Sequence, residues 1–244
     1  MIIFACDSTA VIASVALCDG EKLLAEFTLN NGNTHSETLL PMTEAILSRL
    51  GMTPADIDLF ACSAGPGSFT GVRIGVATVK GLAYGRGKPC AGVSSLEALS
   101  LNHKGLHPDG TLVCPVMDAR RNQLYNALFE IKNGRPERLT PDRAVSAASL
   151  ASELAGLGRR TAVCGDGSAI LLGALGGLRD GPETVFSDRL GFQSAYSVAL
   201  AALRAYERGE AVDDAALRPV YLRPPQAERE RLERLARAAQ TKGE

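Results

Sequence analysis

The chain has 244 residues, 45% of them hydrophobic and 22% charged, with a formal net charge of −1. That balance is globular and large enough for one big domain or two smaller lobes, each with its own core. A protein that grips nucleic acid unaided carries a basic surplus, so any work on RNA is expected to lean on a partner's charge.

No stretch reaches the ~18 consecutive apolar residues of a membrane span. The opening run Met1-Ile2-Ile3-Phe4-Ala5-Cys6-Asp7 has no basic leader and meets a carboxylate at once. It reads as a first strand, and the expected compartment is the cytosol. Cys6, Cys18, Cys62, Cys90, Cys114 and Cys164 show no C-x-x-C spacing and mostly lie in or beside apolar runs, which argues against disulfides and against zinc.

Residues 2–6 form an apolar run closed by Asp7. A β-branched run over 11–18 follows, Asp19-Gly20 marks a two-residue hairpin, and 21–29 return as a third strand. Thr34 and Glu37 have the spacing of a capping box ahead of a helix over 36–50. That helix puts Leu39, Thr43, Ile46 and Leu50 on one face and stops at Gly51, while Pro41 inside it should kink it or delay its start. A short strand over 57–63 then leads into a helix over 70–85.

The same grammar recurs further on. Residues 111–117 end at Asp118, 122–131 form the next strand, Asn133-Gly134 turns the chain, and 135–140 come back. A helix over 146–157, a strand over 161–164 and a helix over 168–176 follow. Such repetition predicts an α/β protein of two similar lobes, the duplicated two-lobed topology of the actin, Hsp70 and sugar-kinase superfamily with its ribonuclease H-like unit. The lobes are expected over 1–103 and 104–225, the second smaller and degenerate, with the boundary in the polar stretch 102–110. A helix over 194–208 is a candidate to pack back on the first lobe. The stretch 226–244 is a charged tail whose Glu230–Arg234 and Glu233–Arg237 pairs fit a solvated helix.

Several residues invite a chemical role. His35 has no acid, cysteine or second histidine near it in sequence, which favours a structural or interface role. The stretch from Cys62 to Gly75 ends a strand, turns through Gly65-Pro66-Gly67 and opens a helix whose free amides could hold an anion. It matches neither phosphate-loop pattern and has no lysine placed for a phosphate, and Ser68 is not in a G-x-S-x-G elbow, so a structural turn is favoured. Along the helix Gly71, Gly75, Thr78, Leu82 and Gly85 recur on one side. Interior glycine costs ~1 kcal/mol against alanine, so the run points to close approach of a second backbone, either this protein's own sheet or another subunit. His103 and His107 have the spacing of a metal pair on a helix, but Gly105 between them and Pro108-Asp109-Gly110 after them predict a solvated linker.

Residues 61–100 (ACSAGPGSFTGVRIGVATVKGLAYGRGKPCAGVSSLEALS) are similar to the signature of the TsaB family, formerly grouped with the M22 glycoproteases, and HSETLLP (35–41), MDARRNQLY (117–125) and PVYLRP (219–224) extend the match. The resemblance implies an actin-like scaffold subunit that works with the catalytic paralogue TsaD and the ATPase TsaE. Together these move a threonylcarbamoyl group onto the adenosine beside the anticodon of tRNA. It also implies a homodimer through the first-lobe helices and contact with tRNA only through the complex. With the small-residue run, it nominates His35, Glu37, Leu39, Thr43, Ile46, Gly71, Arg73, Gly75, Thr78 and Leu82 as partner-interface residues.

The catalytic sister family carries an H-x-x-x-H metal pair just after a Gly-Val strand end. Aligned through Gly92-Val93, those positions are Ser95 and Leu99, which supply no imidazole. No catalytic residue, metal or cofactor is therefore expected. Superfamily kinases place glycines after the first acid of each lobe, whereas here Asp7 precedes Ser8-Thr9-Ala10 and Asp118 precedes Ala119-Arg120-Arg121. Gly165-Asp166-Gly167 keeps part of an adenosine-side loop, so Asp7, Ser8, Thr9, Gly165 and Gly167 stand as a vestigial nucleotide site. An ATP-using kinase-type enzyme and an M22-type metalloprotease compete with the scaffold, disfavoured by the glycine-poor loops and the missing histidines.

Overall fold

The computed structural model describes residues 1–32, 34–177, 183–187 and 190–223; the tail over 226–244 lies outside the described residues. The first lobe contains β1 (Ile2–Asp7), β2 (Ala13–Asp19), β3 (Lys22–Leu29), α1 (His35–Arg49), β4 (Leu59–Gly65), α2 (Phe69–Ala83), β5 (Cys90–Ser94) and α3 (Ser95–Leu101). Its sheet runs β3-β2-β1-β4-β5, with β1 to β3 antiparallel through hairpins and β4 and β5 parallel to β1.

The second lobe contains β6 (Leu112–Asp118), β7 (Gln123–Asn126), β8 (Phe129–Lys132), β9 (Arg135–Arg138), β10 (Arg143–Ser146), α4 (Ala147–Leu157), β11 (Thr161–Cys164), α5 (Ser168–Leu175) and β12 (Thr184–Phe186). Its main path, β10-β7-β6-β11-β12, repeats the order of the first sheet, again with two parallel strands on one side of the first strand. Parallel neighbours cannot be joined by a tight hairpin and need a crossover, which α2, α4 and α5 help to supply. The molecule is a duplicated, actin-like, two-lobed α/β fold. Among the described residues no helix is long and apolar enough to cross a membrane.

One expected strand is broken. Pro115 in β6 has no N–H to give to a ladder, and residues 122–131 divide opposite it. β7 pairs with Val116–Asp118 and β8 with Leu112 and Val113. The buried Asn126 fills the break, donating from Nδ2 to the carbonyls of Pro115 (3.1 Å) and Ala127 (3.0 Å).

α1 starts at His35 and runs through Pro41 without delay. The capping box is not formed: the Thr34 and Ser36 hydroxyls lie 3.2 Å apart, and the Glu37 amide donates to the Thr34 carbonyl (3.0 Å). Leu39 and Ile46 join Phe4, Val15, Leu17 and Val76 in the core, and buried Thr43 donates to the carbonyl of Leu39 (2.8 Å). On the other side of the sheet, α6 (Ala195–Glu207) lays Val198, Ala199 and Ala202 against Ile3, Ala5, Ala16 and Ala61. Those alanines let the helix axis approach the sheet closely.

The small-residue run of α2 also faces inward. A Cβ on Gly71 would lie 1.9 Å from the Ser8 carbonyl oxygen, and one on Gly75 would lie 2.8 Å from Ser8 Oγ. The second backbone these glycines admit is therefore this chain's own loop between β1 and β2. The nomination of Gly71 and Gly75 as partner-interface residues is corrected accordingly, because helical periodicity names a face but not its neighbour.

Between the lobes stands α3. Its Leu96 and Leu99 pack with Val113, Met117, Phe129, Ile131 and Ala162 of the second lobe. His103 just beyond it is 2% exposed, and its Nδ1 lies 2.8 Å from His107 Nε2 with the rings stacked. The expected solvated linker is corrected at His103, while Gly105, Leu106, Pro108, Asp109 and Gly110 are exposed; the Gly105 amide donates to the Gly134 carbonyl of the β8–β9 turn (2.7 Å). Burial, then the neighbouring His107, pushes His103 down to about 4.

Two predictions follow from this packing. Gly71→Ala should lower stability by ~1–3 kcal/mol through overpacking. Gly81→Ala, where a Cβ meets nothing within 4 Å, should leave stability unchanged or raise it by up to ~1 kcal/mol; urea denaturation separates the two. The unfolded chain's His103 titrates near 6.5 and the folded one near 4, so below about pH 6.5 the unfolded state binds the extra proton and stability falls. Between about pH 7.5 and about pH 5 that contribution is a loss of roughly 2 kcal/mol, which His103→Leu should remove from the pH profile.

Candidate functional site

The C-terminal ends of β1, β4, β6 and β11 meet at a cleft of about 510 Å³ between the lobes. Open α/β sheets bind ligands at this end of their strands. Thr9 and Ala10 form one wall, Gly67 to Phe69 the next, and Asp118, Arg120 and Asp166 the wall from the second lobe; Val220 to Arg223 close one side.

Of the residues nominated as a vestigial nucleotide site only Thr9 lines this cleft, and the polar side chains of the set are engaged by the chain itself. Asp7 Oδ1 accepts from the Thr9 amide (2.8 Å) and hydroxyl (2.7 Å), and Oδ2 accepts from Ser63 Oγ (2.5 Å). Burial raises the Asp7 pKa above the usual carboxylate value, against the pull of those donors and of His35. Ser8 Oγ donates to the Gly71 carbonyl (2.8 Å), and the Thr9 carbonyl accepts the Ser68 amide (2.7 Å). Gly165 and Gly167 serve close packing: a Cβ on Gly165 would lie 2.0 Å from the Val116 carbonyl oxygen, and one on Gly167 would lie 2.7 Å from Leu124 Cδ2.

The second-lobe wall differs. Asp166 is exposed, and its Oδ1 accepts the Asp118 amide (3.0 Å). Arg120, Arg121 and Asn122 follow one another at φ 66°, 56° and 58°. Residues with a Cβ rarely adopt this left-handed region, and three in succession are costly.

Ser95 and Leu99 stand where a metal pair would be needed. Ser95 is fully buried and its Oγ has no hydrogen-bond partner, while Leu99 belongs to the lobe junction. Neither fits a transition metal. Among the described residues no group of three His, Cys, Asp or Glu could hold a metal ion.

The outer face of α1 and α2 is a second candidate. A groove of about 510 Å³ lies there, lined by Leu40, Pro41, Leu47, Met52, Pro54 and Leu82 among others. Of the ten nominated interface residues, Glu37 and Arg73 are exposed and His35, Thr78 and Leu82 half-buried. Leu39, Thr43, Ile46, Gly71 and Gly75 are buried, a correction to their nomination as contact residues. His35 Nε2 lies 2.7 Å from the Ala10 carbonyl and so ties α1 to the cleft loop.

Sequence reasoning missed Leu40, which is 55% exposed; its signal was an apolar residue off the core face of an amphipathic helix. It also missed Tyr221, which stacks on Phe69 at 4.6 Å and accepts a hydrogen bond from Arg73 Nε (2.9 Å).

Residues 22–160 match the family model described as TsaD, tRNA N6-adenosine threonylcarbamoyltransferase. Curated proteins named tRNA threonylcarbamoyladenosine biosynthesis protein TsaB are 39% identical over 148 residues in Bacillus subtilis, covering 61% of this chain and 63% of that one. In Escherichia coli the figures are 37% over 131 residues, covering 53% and 55%. The solved structure of YeaZ from Pseudomonas aeruginosa is similar at TM-score 0.77 and 26% identity, covering 91% of this chain and 99% of that one. The chain belongs to this family, on its TsaB (YeaZ) branch. The aligned part is 55% to 63% of the length of the two curated TsaB relatives. The segment matched to the TsaD family model contains α1, α2, α3 and the Asp118–Asn122 turn, and so spans the outer face and one cleft wall.

Asp7 is held here to be a structural knot. Asp7→Asn puts an amide N–H₂ against groups that now donate to a carboxylate, and should cost ~1–3 kcal/mol of stability. Thermal melting checks it, with Asp118→Asn, whose carboxylate faces Arg120 at the surface, expected to melt close to wild type.

Proposed function

We propose that this chain is a non-catalytic partner subunit of the machinery that forms threonylcarbamoyladenosine on tRNA. It docks through the outer face of α1 and α2 on a catalytic paralogue of the TsaD type and works with a TsaE-type ATPase. Alone, it pairs with itself through the same face. It meets tRNA only within the complex, acts in the cytoplasm, and uses no metal or cofactor of its own.

The observation that carries this reading is at α3. Where the catalytic sister family has its metal-binding imidazoles, this chain has a buried serine and a leucine built into the lobe junction. The names of the TsaB relatives support the pathway. An ATP-using enzyme of the same fold is disfavoured by the engagement of Asp7, Ser8 and Thr9 with the chain's own groups. The outer face has the anatomy of a protein contact, with Leu40, Pro41, Leu47 and Leu82 at its centre and Glu44 beside them.

Leu40→Asp places a charge at the centre of that face without touching the core. Affinity for the catalytic paralogue should fall by tenfold or more, about 1.4 kcal/mol or greater. The melting behaviour should stay within ~0.5 kcal/mol of wild type, as expected of a surface change. Wild-type binding by this variant would remove the docking site from the proposal. Threonylcarbamoyl transfer to tRNA by the isolated chain would overturn its non-catalytic role.

A further inference from the structure

The segment after α6 runs along the first lobe, turning at 214–216, and ends on the second. Val212 and Cys90 exchange backbone hydrogen bonds (2.7 and 2.9 Å), fixing its start beside β5. Leu217 is buried in the core under α2. Lys80 Nζ, on α2, donates to the carbonyls of Ala215 (3.1 Å) and Leu217 (3.2 Å). The Val220 amide donates to the Ala64 carbonyl (2.7 Å) at the end of β4. Tyr221 then lies on Phe69 and is held by Arg73, whose guanidinium also sits 3.9 Å from the Phe69 ring centroid. Two residues on, Arg223 donates to the Ala119 carbonyl (2.6 Å) across the cleft.

Ala119 opens the turn whose next three residues are left-handed. The turn is held by the Ala119 amide on the Gln123 carbonyl (2.9 Å) and the Gln123 amide on the Arg120 carbonyl (3.2 Å). Away from this cleft contact the lobes are joined through α3 and by Glu21, which pairs with Lys104 (2.8 Å) and Arg135 (3.1 Å). Arg223 thus reaches over from one lobe to the carbonyl that opens the left-handed turn of the other. Its segment is fastened along the way by two cations that project from α2, one exposed and one half-buried.

We propose that Val212–Arg223 is a clasp that transmits the state of the α2 outer face to the Ala119–Asn122 turn at the cleft. Arg73 and Lys80 are its near fastenings and Arg223 its far one. A protein that covered the exposed Arg73 would compete for it and so loosen the far end. Only the identity of that protein rests on the proposed docking; the coupling is a property of the free chain.

Hydrogen–deuterium exchange on the free, full-length chain tests it. Arg223→Ala should speed exchange of the Ala119 and Gln123 amides roughly tenfold by freeing local opening. Arg73→Ala and Tyr221→Phe should speed the same amides severalfold, although neither residue touches the second lobe. Arg135→Ala, on the Glu21 contact between the lobes, should leave them at the wild-type rate. Wild-type exchange at Ala119 and Gln123 in Arg223→Ala overturns the clasp. So does a rise in Arg223→Ala with none in Arg73→Ala or Tyr221→Phe, since the segment is then an anchor only. An equal rise in Arg135→Ala also overturns it, because the turn then reports general loosening. A failed paralogue-binding experiment would count against the docking proposal and leave these outcomes unaffected.

Discussion

Leu96 and Leu99 project from a seven-residue helix into the second lobe, and the relation of the two sheets depends on them. Both are essentially fully buried among Val113, Met117, Phe129 and Ala162. Removing such a side chain from water is worth about 1.5–3 kcal/mol. The ion pairs that accompany the junction, Glu21 with Lys104 and Arg135 and Arg138 with Glu97, are part-exposed and worth little singly. The seam is therefore apolar in its energetics and polar only at its margin. It also occupies the place where a catalytic relative would put imidazoles. A polar ligand pair there would sacrifice the packing that joins the lobes, so catalysis and this junction compete for the same helix.

A second consequence concerns the cleft. In a fold of this kind the loop after β1 could face a phosphate. Here α2 approaches it so closely that Gly71 has no room for a Cβ. The loop's own carbonyls and hydroxyls are turned into α2, and Asp7 is turned onto Thr9 and Ser63. The floor of the first-lobe side is a packed surface. The second-lobe side keeps its acids and Arg120 nearer to solvent, so the two halves of a duplicated fold differ at the cleft they share.

The duplication was legible in the sequence because its signals are local. Apolar runs ending at Asp7 and Asp118, and the Asp19-Gly20 and Asn133-Gly134 turns, need no tertiary partner to be read. What was not legible depended on a neighbour distant in sequence. The break at Asn126 is caused by Pro115 across the ladder. The glycines of α2 have a periodicity that fits an outward groove as well as an inward contact, and only Ser8 decides. His103 looked solvated from the glycine and proline around it, whereas it is 2% exposed with His107 stacked against it. The PVYLRP segment has no periodic pattern, so its path along α2 and over the cleft left no trace beyond the resemblance itself. For the same reason the nominated interface residues separate only in the structure: Glu37 and Arg73 are exposed, and Leu39 and Ile46 are buried.

These observations converge on α2 as a helix with two occupied faces. Its inner face, through Gly71 and Gly75, is pressed on the loop that ends β1. Its outward cations hold the segment that crosses to the second lobe. His35 adds a link from α1 to the same loop through Ala10. Nothing that moves α2 by even part of an ångström can leave the cleft unchanged, because the first contact is too tight to absorb displacement. A surface for a partner placed on this helix is therefore mechanically continuous with the cleft, even though the cleft's first-lobe residues have given up their hydrogen bonds to the fold. That continuity gives the fold a physical reason to keep the cleft: it is the place where two lobes, one helix and the C-terminal segment register each other's positions.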